Sequence, residues 1–196
     1  MTIILPPAAR NTDYLIRPVR NSEAQRAGTG GSLTSLRRPG DHWAIEIAPG
    51  ALATTCGRRL LADIVRGVGE RIRVPIPQRG LDTGEPGSPV VRGEGQAGSS
   101  LRIFRMPIGH PLVKGQFVTL ATADGASAHI LTADVIANGS GEAVLSLWPM
   151  LWLEPRDGDP VEVRAPYVEG LIVDEGGQAS NSFPAVMTDS FTIEEG

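Results

Sequence analysis

One cysteine, Cys56, stands in 196 residues, so no intrachain disulfide can form. Stability must come from packing or from assembly, and the thiol usage points to a reducing compartment during folding. Three histidines, His42, His110 and His129, are scattered without HxH or HxxxH spacing, and no metal-ligand set is assigned. Basic residues never run beyond a pair, Arg37-Arg38 or Arg58-Arg59, and the formal net charge is −4. The concentrated positive footprint that displaces counterions from nucleic-acid phosphates is missing. No stretch approaches the ~20 apolar residues of a membrane helix, so no membrane insertion is expected. Residues 1–7 have neither the basic start nor the apolar length of a signal peptide.

What the chain has in quantity is glycine, 24 residues, and proline, 16, set between short apolar runs. Many turns between short runs mean many short strands. Hydrophobic residues at 41% supply a core. Alternation marks strands at 14–19, where Pro18 demands an edge, and at 42–47, where Trp43, Ile45 and Ile47 share a face. Further strands fall at 71–76, 101–105, 116–120, 129–136, 143–148, 161–164, 168–173 and 190–194, with a short pairing at 89–91. Asp124-Gly125, Asn138-Gly139-Ser140-Gly141 and Asp157-Gly158 are the turn signals, Asn-Gly being the strongest because it accepts positive φ. Residues 21–32 and 174–182 read as polar loops. A single amphipathic helix at about 52–67 buries Leu52, Cys56, Leu60, Leu61, Ile64 and Val65 and shows Arg58, Arg59 and Arg66 to solvent. The expected fold is mainly β: an antiparallel β-sandwich or partly open barrel with one α-helix. Residues 1–13 form an N-terminal arm, and 14–196 a single β-rich domain with a long Gly/Pro-rich loop at 77–100.

No pattern supports catalysis. Gly93-Glu94-Gly95-Gln96-Ala97-Gly98 has the letters of a dinucleotide fingerprint, but a strand-like run follows where a helix N-terminus must receive the pyrophosphate, so it reads as a turn-rich loop and no cofactor is assigned. Asp41 and His42 are neighbours on a strand and point to opposite faces. His129 shares a face with Leu131 and reads as a packed histidine. Asp157 and Asp159 flank a plain Asp-Gly turn, too few oxygens for calcium. Cys56, on the apolar side of the helix, reads as a buried, inert thiol. Trp43, Trp148, Met150 and Trp152 are the candidate anchors, either of the core or of a subunit contact, where Trp and Met are enriched.

The order of segments resembles a family of distal tail proteins, or minor tail proteins, of long-tailed phages and prophages. The resemblance rests on Ser35-Leu36-Arg37-Arg38-Pro39-Gly40-Asp41-His42-Trp43, the single helix, the stretches 87–98 and 112–120, the dense region 129–163, and Ser190-Phe191-Thr192-Ile193-Glu194-Glu195. Residues 176–182 depart from it. The resemblance implies a non-enzymatic virion protein at the distal end of the tail, made in the host cytoplasm. It implies a homo-oligomeric ring, expected to be a hexamer, between the tail tube protein and the baseplate hub or tip proteins. DNA would pass through the ring without specific binding, which suits a net acidic chain. The alternative is a carbohydrate-binding β-sandwich in which Trp43, Trp148 or Trp152 is a stacking platform for a host-surface sugar.

Overall fold

A computed structural model describes residues 2–5, 12–21, 23–26, 30, 33–36, 40–50, 52–67, 69–173, 179–182, 185–188 and 190–196. In chain order the strands are β1 (Ile3–Ile4), β2 (Asp13–Val19), β3 (Glu23–Arg26), β4 (Leu33–Leu36), β5 (His42–Ala48) and β6 (Leu52–Ala53). After helix α1 (Thr54–Gly67) come β7 (Ile72–Pro75), β8 (Val90–Val91), β9 (Gly98–Phe104), β10 (Pro111–Leu112), β11 (Phe117–Thr122), β12 (Gly125–Leu131) and β13 (Val135–Ile136). The last are β14 (Ala143–Leu151), β15 (Val161–Glu162), β16 (Tyr167–Ile172), β17 (Ala179–Ser182), β18 (Ala185–Thr188) and β19 (Phe191–Glu195). The chain is mainly β with one helix among the described residues, as its alternation predicts.

Six strands, in the order β15-β11-β12-β14-β9-β8, form a sheet that curls until its edges meet. Across the seam Val91 N donates to Asp159 O at 2.8 Å, Gly158 N to Val91 O at 3.0 Å, and Val161 N to Pro89 O at 3.0 Å. The result is a nearly closed barrel whose two outer strands satisfy one another. Its interior is one side of the alternation: Leu101, Ile103, Val118, Leu120, Leu131, Leu145 and Leu147 are all buried there.

A second sheet, in the order β1-β7-β16-β19-β5-β2, packs on the outside of that barrel. Phe117, Ala128, Ile130 and Trp148 leave the barrel outward and join Trp43, Ile45, Ile47, Val168, Phe191 and Ile193 in a second core. β12 is therefore buried on both faces. Helix α1 covers this core with Ile64, fully buried, and Leu60. Its last residue, Gly67, lies against the side chains of Ile72 and Ile172, where a Cβ has no room. β2 ends the sheet, as Pro18 requires. Pro18 lies opposite Trp43, whose N–H points away from it toward β19, so the donor that proline lacks would have faced outward and no ladder bond is lost.

Several expectations are corrected. The 21–32 loop contains β3, paired with β4. The 129–136 strand is two strands: β12 ends at Leu131, and Val135–Ile136 pairs instead with β10. Local polar bonds break it, because Thr132 N and Oγ1 both reach Ser146 O and Asp134 Oδ1 accepts from Lys114 N at 2.7 Å. At the Asn-Gly turn the left-handed residue is Gly141, φ 70°, while Asn138 Oδ1 caps the N–H groups of Ser140 and Glu142. The helix begins at Thr54 because Leu52 and Ala53 are held by β18. Of the 174–182 loop, 174–178 lie outside the described residues and Ala179–Ser182 is β17. Of the stretch 35–43, Ser35 and Leu36 belong to β4, 37–39 lie outside the described residues, and Gly40 has φ +115°.

Within the expected arm, Ile3 and Leu5 are buried and β1 runs parallel to β7. In the 77–100 segment the short pairing at Val90–Val91 is present, and Gly98 already belongs to β9. Along the rest of it Pro86 and Pro89 are buried, and Gln78 Oε1 accepts from Phe117 N at 2.7 Å. No helix among the described residues is long and apolar enough to cross a membrane.

Candidate functional site

Barrel and second sheet are tied by Thr119 Oγ1, bonded to the Tyr167 main chain, and by a joint at Glu195, around which Trp43, Trp148 and Trp152 gather. β5 turns Trp43 inward, 6% exposed, where its ring meets Trp148 edge-on at 4.7 Å between centroids and Phe117 at 5.1 Å. These contacts add to the burial of the largest apolar surfaces in the chain. The Trp43 indole N–H donates to Ala128 O at 3.1 Å. Ala128 N donates to Glu195 Oε1, and Trp43 N donates to Glu195 Oε2 at 3.1 Å. β12 pairs with β14 only through Ile130 and Leu131, so Ala128 would otherwise lack ladder partners on that side. Two side chains of the other layer supply them.

Trp152 lines a hollow of about 130 Å³ with Asp41, His42 and Glu195, directly beside this joint. Met150 and Trp148 are half-buried on β14. Trp43, Trp148 and Trp152 are therefore brought together, and Trp43 offers no open face to a sugar ring. His42 is not the plain strand residue its neighbours suggest. Its Nδ1 lies 2.8 Å from Gly40 O and its Nε2 2.7 Å from Glu194 Oε1. Burial works to lower the His42 pKa, but the bonds to Gly40 and Glu194, with the charges of Glu194 and Glu195, outweigh it and hold it above the ordinary value. Burial pushes the Glu195 carboxyl up to about 7, against the opposing pull of the Ala128 and Trp43 amides and of His42.

Inside the barrel, His129 is the packed histidine expected. Nδ1–H donates to Pro149 O at 2.9 Å, which leaves Nε2 to accept from Ser127 Oγ at 2.9 Å. Burial lowers its pKa to about 4, so the ring is neutral. A hydroxyl bonded to a neutral imidazole is the start of a nucleophilic pair, but Ser127 and His129 are both 0% exposed and no substrate reaches them. They close a polar circuit in the core. The fingerprint-like segment is the turn its context predicts: Gln96 Nε2 donates to Arg92 O at 3.0 Å, and Gln96 Oε1 accepts from Arg102 N at 2.6 Å. Asp157 and Asp159 accept from Gly93 N and Arg156 N and serve the barrel seam. Among the described residues no cluster of three or more His, Cys, Asp or Glu is placed to hold a metal.

Cys56 is exposed, not buried. The helix contributes Leu60 and Ile64 to the second core, and Cys56 lies before both. Val65 is likewise 62% exposed. Ellman's reagent should titrate the Cys56 thiol in the native protein about as fast as in the denatured one; strong protection in the native state would put it back inside.

The joint was not foreseen because Glu195 falls one residue beyond the strand assigned from sequence. The signal was present: continuing the alternation of Phe191 and Ile193 by one step points Glu195 inward. Compared with models of known protein families and with curated proteins, the sequence matches none.

Proposed function

We propose that this chain is a structural protein of a phage virion, a ring subunit joining the tail tube to the baseplate or tail tip. The observation that supports it is an apolar outer surface on the barrel. Ile108, Ile136 and Val144 are 72%, 67% and 54% exposed. Ile136 and Val144 line one shallow groove with Arg92, Arg102 and Glu142 at its margin. Ile108 adjoins it, since Gly109 N donates to Ala137 O at 3.0 Å. Apolar surface rimmed by charge is the kind that assembly covers.

A closed ring needs two different complementary patches on each subunit. The second sheet supplies another apolar set, with Leu15 58% and Leu171 45% exposed. In this reading the protein lies at the distal end of the tail as a hexamer, contacts tail tube and hub or tip proteins, and lets DNA pass unheld. Native mass spectrometry of the purified chain, with symmetry analysis of particles containing it, tests this. Val144→Lys should leave a folded monomer that no longer assembles. A chain that stays monomeric at high concentration and is absent from the tail end would overturn the reading.

A further inference from the structure

Glu195 is 4% exposed, yet each of its oxygens serves a different layer, Trp43 N–H on β5 and Ala128 N–H on β12. Among the described residues, the charged and titratable groups around it are few. β5 presents His42, and Asp41 precedes it with Oδ1 accepting from Asn21 N. β19 presents Glu194, bonded to His42. On β16 the residue opposite is Gly170, and its neighbour Glu169 is bound to Arg73. β12 offers only the Ala128 backbone, His129 being turned into the barrel toward Ser127 and Pro149. The end of β14 offers Trp152, which carries no charge. On β2, Arg17 lies opposite Ala44 and is exposed. Among the described residues, His42 is therefore the cationic group in reach of the two adjacent carboxylates.

We propose that His42, Glu194 and Glu195 form a proton-operated latch that fastens the second sheet to the barrel, closed in acid and loosened in base. Protonated, His42 donates from both ring nitrogens, to Gly40 O and to Glu194 Oε1. Deprotonated, it leaves two negative charges facing a neutral ring, one of them on the buried Glu195. The sign is the same for both titrating groups. Each holds its proton more tightly in the folded chain than at its ordinary value, 4.5 for Glu195 and 6.5 for His42. Their contribution is complete below those values and is lost as pH rises through the higher folded ones, about 7 for Glu195.

The experiment uses the whole chain, isotopically labelled, and follows the Glu195 carboxyl and the His42 ring by NMR while thermal unfolding is recorded from about pH 5.5 to about pH 8.5. Glu195 is expected to titrate near neutrality, and the unfolding midpoint to fall by roughly 5 °C across that range. The amides of Trp43 and Ala128 should lose protection relative to those of Leu101 and Ile103 inside the barrel. Glu195→Gln keeps the volume but cannot titrate, and should lose at least half of the fall. Glu194→Gln, at a half-exposed position that tolerates change, should flatten the fall by lowering His42, and serves if the first variant does not fold. A Glu195 carboxyl titrating in the ordinary range, an unfolding midpoint that rises with pH, or an undiminished fall in both variants would overturn the proposal.

Discussion

Gly170→Ala is expected to destabilise the second sheet by ~3 kcal/mol, read as a fall in the denaturant midpoint of a probe in that sheet. Gly170 sits in the middle of the second sheet, opposite Ile72 on β7 and Glu195 on β19. A Cβ there would lie 2.6 Å from the carbonyl carbon of Glu194 and 3.0 Å from Cα of Glu195. Both are main-chain atoms, so no rotamer change relieves the clash. The β16–β19 pairing must spread, and Glu195 must move with it away from the Ala128 and Trp43 amides. Gly170 is not in the left-handed region, so the clash alone sets the cost. Gly93→Ala, at a positive-φ position with open space around it, is the contrasting control: it should cost only the ~1 kcal/mol of placing a side chain in that conformation. Comparable losses in the two variants would show that the clash at Gly170 is relieved by easy strand movement.

The parts of the fold that could be read from sequence are those carried by local period. Trp43, Ile45 and Ile47 alternate and are all buried. So do Phe191 and Ile193, and Val118 and Leu120. Pro18 announced an edge and found one. Pairing between distant segments leaves no such mark. The seam that closes the barrel joins Pro89 and Val91 to residues 158–161, and neither run contains anything that names the other. The joint at Glu195 was illegible for a related reason. A carboxylate on an inward position normally argues against burial, and only the two amide donors waiting on other strands make that position tolerable. The break of the 129–136 run was hidden because Thr132 and Asp134 fit an alternating strand as well as they fit the local bonds they make to Ser146 and Lys114. Cys56 misled because helical spacing gives a face but not where along its length the helix meets the core.

Trp43→Ala is the second large effect, expected at ~3–5 kcal/mol. The loss has two sources that variants can separate. The ring removed is 6% exposed and packs edge-on against both Trp148 and Phe117, so its deletion leaves a hole lined by aromatics of the barrel strands. Ala128 O loses the indole donor and is left buried without that bond, a cost of ~1–3 kcal/mol when unrelieved. The Trp43 amide, which binds Glu195, is main chain and survives the substitution. Trp43→Phe keeps an edge-to-face partner for Trp148 but removes the indole donor, and should fall between wild type and Trp43→Ala. If Trp43 anchors the two layers to one another, its removal should loosen them unevenly. Amides of β5 and β19 should exchange faster, while Leu101, Ile103 and Leu145, buried in the separate barrel core, keep their protection. Uniform loss of protection across both cores would mean that the barrel cannot stand without the second sheet, and that the joint holds a single cooperative unit together. A stable, fully protected Trp43→Ala would remove Trp43 from the core altogether.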